Sequence, residues 1–190
     1  EEIRHVTWVT KPEPFVPRER ILGVRERMDY LGQEIVPLNR RDVMAAIRYL
    51  IDEEKVEAIA VSFLHAWANP KHEEEVLSLA LEADPSRRVY WSFGSALSLV
   101  AGEYARANTA IINSYLGPTV ERYLKDLEGK LRDDGLKGLF LIMQGNGGAA
   151  HREHVTPIAS RQSGPAGGMS ASPYVAGLLG HKNVITTDMG

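Results

Sequence analysis

Apolar and polar positions along the chain divide into stretches with different periods. Residues 3–10 alternate and are rich in β-forming side chains, which predicts a strand. Prolines at 12, 14 and 17 exclude a helix across the next segment, because each fixes φ and removes an amide donor. Two more extended stretches, 21–28 and 33–38, follow, with Gly32 at the turn between them. The pattern then changes to helices alternating with strands. Asn39 can cap a helix running to Leu50, with Asp42 three positions on. Val43, Ile47, Leu50 and Ile51 give that helix one apolar face. The run 56–64 reads as a buried strand. Asn69-Pro70 opens the next helix, in which Glu73, Glu74 and Glu75 oppose the helix dipole and Val76, Leu77, Ala80 and Leu81 face the core. Residues 88–93 are the following strand.

A long helical stretch covers about 102–131, with a break expected at Gly117-Pro118. Its second half aligns Val120, Tyr123, Leu124, Leu127 and Leu131 on one stripe, and Gly135 can end it. The apolar strand 138–143 runs into Gln144-Gly145-Asn146-Gly147-Gly148. A second glycine-rich segment, 163–168, opens a helix of small residues reaching Leu179, with a kink or restart expected at Ser172-Pro173 and a stop at Gly180. Residues 183–187 read as a strand leading to Asp188-Met189-Gly190. Strands alternating with helices predict an α/β fold with an at least partly parallel sheet.

Composition narrows the function. The chain has 190 residues, 44% of them hydrophobic, enough for a real core. Its 22 basic and 25 acidic residues leave a net charge of -3, which argues against nucleic acid as a partner. No stretch approaches the ~18 apolar residues of a membrane span. Cysteine is absent, so disulfides and Cys-based zinc sites are excluded, and a reducing cytoplasm is the expected compartment. The start, Glu1-Glu2-Ile3-Arg4, is charged and lacks the apolar core of a secretory leader. It also lacks Met, and a processed product or subunit fragment is expected.

Candidate chemistry gathers at the glycine-rich segments and the end of the chain. Gly145, Asn146, Gly147 and Gly148, and then Ser163, Gly164, Gly167 and Gly168, could let amide groups approach an anion. On pattern alone a tight turn and a close-packed helix, with Ser163 as helix cap, is the favoured reading. Neither segment has the Gly-Lys-Ser/Thr of a P-loop. Asp188 ends an apolar strand and is followed by Gly190, a placement that suits a water-bridged Mg²⁺ and a phosphate, or an ordinary turn. Among the six histidines, His151 and His154 could share a helix face, His72 is expected to be solvated, and His65, after a buried strand, is the one to test. No Glu-flanked His pair is present, and no transition-metal site is expected. No Gly-x-Ser-x-Gly elbow supports a Ser-His-Asp triad. The charged run 121–134 reads as a solvated helix face.

Several stretches together match one pattern: 11–18, 24–29, 60–73, Glu103-Tyr104-Ala105-Arg106, Asn113-Ser114-Tyr115-Leu116-Gly117-Pro118, 143–148, 163–168 and 188–190. In this order they resemble the hydantoinase A/5-oxoprolinase family, which includes acetone- and acetophenone-carboxylase-type subunits. The resemblance covers essentially the whole chain as an internal fragment. One departure is Gly145, where the family usually has Ser.

The resemblance implies a partial actin-like ATPase fold, of the sugar-kinase and heat-shock-chaperone type, with a mixed sheet and flanking helices. Residues 1–38 would be a β-rich segment of the first lobe, 39–160 its α/β part, and 161–190 the crossing helix and first strand of a second lobe. It further implies ATP and Mg²⁺, with phosphorylation of a cyclic amide before ring opening, and a second, hydantoinase B-like subunit or domain within a homo- or hetero-oligomer. Asp188 would be the catalytic, water- and metal-orienting carboxylate. Gly145, Asn146, Gly147, Gly148, Ser163, Gly164, Gly167, Gly168 and Gly190 would line the nucleotide or the cleft. The fragment alone is expected to be inactive. An ATP-dependent ketone carboxylase subunit and a non-catalytic assembly module are the alternatives.

Overall fold

A computed structural model of the chain describes residues 13–189. The strand expected over 3–10, the start of the proline-rich segment and Gly190 lie outside the described residues. After a 3-10 turn at Arg18–Arg20, β1 (Arg27–Met28) pairs antiparallel with β2 (Glu34–Val36). The turn forms as its sequence dictates. The Asp29 carboxylate accepts from Leu31 N at 2.9 Å and Gln33 N at 2.8 Å, and Gly32 adopts φ +77°. A Cβ at Gly32 would also lie 3.2 Å from Ala68 O, so the position needs glycine for space as well.

Asn39 caps α1 (Arg40–Arg48) by accepting from Asp42 N at 3.1 Å, and Val43 and Ile47 are buried as their spacing predicts. The helix runs on into a π-helical turn, Tyr49–Glu53. β3 (Ala58–Val61) and β4 (Tyr90–Phe93) pair in parallel, Ala58 opposite Tyr90 and Val61 opposite Phe93. Between them the chain crosses through α2 (Lys71–Ala83), as a parallel connection requires. Leu38, Val43, Ile47, Ile59, Val61, Val76, Leu79 and Val89 form one apolar cluster between this pair and α1 and α2. Each such side chain contributes about 1.5–3 kcal/mol by leaving water.

After the short α3 (Gly94–Leu97), α4 (Glu103–Asp133) runs as one helix through Pro118, where a break was expected. The helix is held on both sides of the proline. Asn113 bonds to β4 before it, and Leu124 is buried after it, so tertiary contacts override the missing amide. Of the expected stripe only Leu124 is buried, and Tyr123 is exposed. Gly135, at φ +98°, follows the helix end.

β5 (Leu141–Met143) and β6 (Ala149–His151) form an antiparallel hairpin. The expected strand 138–143 starts late because Arg132 Nη1 takes the carbonyls of Leu136, at 3.0 Å, and Gly138, at 2.7 Å. Among the described residues there are three separate two-stranded sheets rather than one mixed sheet, and the expected parallel pairing is that of β3 with β4. Two 3-10 turns, Arg152–His154 and Pro157–Ser160, lead to α5 (Ser163–Leu178). This helix passes through Pro173 without the expected restart. Ser172 does not cap, but donates its hydroxyl to Gly168 O at 2.7 Å. Gly180, at φ +74°, closes the helix, with His181 N donating to Ala176 O at 2.9 Å. Residues 183–187 form no strand. No segment among the described residues lies alongside to form a ladder, and Ile185 is 93% exposed.

Candidate functional site

The two glycine-rich segments, fifteen or more residues apart in sequence, meet in space. Gln144 to Gly148 is the turn of the β5–β6 hairpin, closed by Gln144 N to Gly148 O at 2.8 Å and Gly147 N to Gln144 O at 3.0 Å. Gly147 takes φ +81°. Gly148 N donates to the Asn146 side chain at 2.9 Å, and Gly145 N to Ala159 O at 2.6 Å. The hairpin packs against the turn before α5 and against α5 itself. A Cβ at Gly145 would lie 2.5 Å from Arg161 O, one at Gly147 2.9 Å from Ser170 Oγ, and one at Gly167 3.5 Å from Met143 Cγ. The amides of Gln144, Gly145, Gly147 and Gly148 thus all donate within the protein. Those at the start of α5, Ser163 and Gly164, have no carbonyl four residues back within the helix, as at any helix N-terminus.

Ser163 is the first residue of α5 rather than its cap. Gln162, left-handed at φ +60°, precedes it, and no side chain caps the helix. Gly164 and Gly168 are open on their Cβ sides. Asp188 is exposed near the end of the tail, which touches α5 where Thr186 Oγ1 donates to Met169 Sδ at 3.1 Å. The tail and the glycine-rich segments therefore share α5 as a common support. Among the described residues no three acidic or imidazole side chains gather as a metal cluster. A lone carboxylate such as Asp188 fits Mg²⁺, which keeps most of its waters and takes further ligands from phosphate.

A second polar centre, at the carboxyl ends of β3 and β4, is invisible in the sequence pattern. Glu73, expected to oppose the helix dipole in the first turn of α2, is only 1% exposed. Its carboxylate accepts from Phe63 N at 2.9 Å, just past β3, and from Ser95 N at 2.8 Å and Ser95 Oγ at 2.7 Å, just past β4. Beside it Arg106 is buried, donating to Phe63 O at 3.0 Å and to Glu103, with its Nε unpartnered. Burial pulls the Arg106 guanidinium below its ordinary range, opposed by the charge of Glu73. His65 adopts φ +60° and its Nδ1 is buried without a hydrogen-bond partner, 3.8 Å from Glu103 Oε1.

His72 is likewise buried at 2%, not solvated. Its Nδ1 meets Glu26 at 2.8 Å and its Nε2 meets Glu34 at 3.3 Å. Glu34 also bonds Lys71, whose hydrogen bond holds the Glu34 carboxyl below the usual range. This cluster ties the β1–β2 hairpin to α2. His151 ends β6 and His154 lies in a 3-10 turn, so the two share no helix face. Within the charged run of α4, Glu128 is half-buried and pairs with Arg132 and Arg152.

The motif residues Glu73, Glu103 and Arg106 assemble the second centre, and 143–148 with 163–168 assemble the first. A profile described as Hydantoinase/oxoprolinase N-terminal region matches residues 3–83, and one described as Hydantoinase/oxoprolinase matches 106–190. The chain belongs to the hydantoinase/oxoprolinase family. It is 34% identical, over its whole length, to 26% of the acetophenone carboxylase gamma subunit of Aromatoleum aromaticum. The crystal structure of an ATP-dependent caprolactamase from Pseudomonas jessenii superposes with a TM-score of 0.87 at 31% identity, over 98% of this chain and 27% of that one. A nucleotide-free acetone carboxylase structure gives 0.77 at 28% identity, over 96% of this chain and 26% of that one. The chain thus spans about a quarter of the length of these hydantoinase/oxoprolinase relatives. Among the described residues no helix is long and apolar enough to cross a membrane.

Proposed function

We propose that the polypeptide carrying this chain couples ATP to the opening of a cyclic amide. The amide oxygen takes the γ-phosphoryl group and ADP leaves. Water then adds to the activated carbon, the ring C–N bond breaks with the nitrogen taking a proton, and a second water hydrolyses the resulting acyl phosphate to carboxylate and free phosphate. The observation that carries this reading is the likeness, over 98% of the chain, to an ATP-dependent caprolactamase. The packing of the hairpin 144–148 on α5 supports it, because it puts the glycine-rich segments and the helix terminus on one surface. In this reading the chain belongs to an actin-like ATPase fold, with 1–38 and 39–160 in one lobe and 161–190 passing toward a second. Mg²⁺ neutralises phosphate charge, and Asp188 orients a water or the ion. A second subunit completes a cytoplasmic assembly, as the subunit names of the relatives suggest.

The test uses the full-length protein with ATP, Mg²⁺ and a panel of hydantoin, 5-oxoproline and caprolactam. ATP consumption that depends on one of these is expected, and Asp188→Asn should abolish most of it. Unchanged turnover in that variant removes Asp188 from the mechanism. The likeness to acetophenone carboxylase favours a second reading, ATP-driven carboxylation of a ketone. Turnover that requires bicarbonate with acetone or acetophenone, and ignores cyclic amides, would select it.

A further inference from the structure

Asn113 lies on α4 with its side chain buried. Its Nδ2 donates to Ser92 Oγ at 2.9 Å and to Tyr90 OH at 3.2 Å, both on β4. Its Oδ1 accepts from Ile158 N at 3.0 Å. The orientation of the carboxamide is fixed by chemistry. A backbone amide can only donate, so it must meet the oxygen, and the two hydroxyls can accept from the nitrogen. Ile158 belongs to the 3-10 turn Pro157–Ser160. The next residue, Ala159, takes the Gly145 amide on its carbonyl, and the Arg161 carbonyl fills the space that a Cβ at Gly145 would need. Two residues further on, α5 begins. One buried carboxamide therefore connects the parallel β-pair to the turn on which both glycine-rich segments are seated.

We propose that Asn113 is a positioning residue that sets the hairpin 144–148 and the first turn of α5 in place relative to β4, through its bond to Ile158. Its functional consequence rests on the reading that these two segments face the nucleotide or substrate. A leucine has nearly the same shape, but would leave the Ile158 amide and both hydroxyls without partners. An aspartate would keep the acceptor for Ile158, and the Ser92 and Tyr90 hydroxyls can turn to donate to it. The two substitutions therefore separate a hydrogen-bonding role from simple occupation of space.

The experiment is hydrogen exchange by mass spectrometry on the full-length protein, with steady-state kinetics for ATP alongside. In Asn113→Leu, peptides covering 144–148 and 156–162 should exchange about tenfold faster, the loss expected for one buried bond. Peptides from α2 should stay within about twofold. Asn113→Asp should restore most of the protection. The KM for ATP should rise in the leucine variant by more than kcat falls, and return toward wild type in the aspartate variant. Uniform acceleration across the chain, no acceleration in the two segments, or equal behaviour of the two variants would overturn the proposal. If Asn113→Leu does not fold, Ser92→Ala combined with Tyr90→Phe frees the carboxamide from β4. Faster exchange confined to the same peptides is then expected, and unchanged exchange refutes it. Local exchange responding as described, in a protein that consumes no ATP with any substrate, would remove the nucleotide reading and leave the positioning role standing.

Discussion

Replacing Glu73 by alanine tests whether the carboxyl ends of β3 and β4 are joined by one buried carboxylate. The wild-type side chain takes the amides of Phe63 and Ser95 and the Ser95 hydroxyl in an interior that solvent does not reach. Alanine leaves the two amides unbonded, at about 1–3 kcal/mol each. The hydroxyl can rotate to another partner, and Arg106 loses the charge that offsets its burial. Taken together the change should destabilise the protein by about 3–5 kcal/mol. For a chain of this size one kcal/mol shifts the unfolding midpoint by roughly 2–4 °C, so a drop on the order of 10 °C is expected. Thermal unfolding followed by circular dichroism, with a urea titration as a second measure, gives the value. Glu73→Gln retains one acceptor and should lose about half as much. A loss under about 1 kcal/mol for Glu73→Ala would refute the assignment, because it would mean the two loops find other acceptors without strain.

Three further predictions follow from single contacts. Gly117→Ala should destabilise by about 1–3 kcal/mol, although alanine favours a helix, because its Cβ would lie only 2.4 Å from Tyr90 ring carbons; Tyr90→Ala in that background should recover part of the loss in a double-mutant cycle. Gly145→Ser, the residue usual in the family resemblance, should push the hairpin off Arg161 O, weaken the bond to Ala159 and lower the unfolding midpoint; an unchanged midpoint would show that the 159–161 backbone gives way freely. Burial raises the pKa of Asp84, but hydrogen bonds from Val89 N–H, Arg88 and Ser86 together outweigh it and leave the carboxyl below its ordinary value of 3.8. A depressed folded-state pKa stabilises above the unfolded value and is lost as pH falls through the folded one, so the stability gap between wild type and Asp84→Asn should be full at pH 6 and shrink below about pH 4 in urea titrations.

Much of the local structure was legible because its causes are local. The Asn39 cap, the apolar face of α1 and the glycine stops at 135 and 180 each depend on residues within a turn or two. The break expected at Pro118 did not form, because a proline penalty of a few kcal/mol is small beside the packing of α4 around it. The helix α5 also continues through Pro173, although only Ala176 of that helix is buried, and packing does not explain it. The strand expected at 183–187 shows the opposite limit: extended propensity makes a strand only where a neighbour supplies the ladder. The glycine-rich segments were recognisable, but not that most of the hairpin's amides are occupied within the protein.

By itself the sequence settled the alternation of helix and strand, the exclusion of cysteine chemistry and the family resemblance, since these follow from residue types and their spacing. Only the folded chain decided which polar side chains were interior. Glu73 and His72 sit in a helix's first turn, where nothing nearby distinguishes a solvated charge from a buried one. Their partners lie 10 to 46 residues away, and loop geometry alone brings those donors and acceptors within hydrogen-bonding reach.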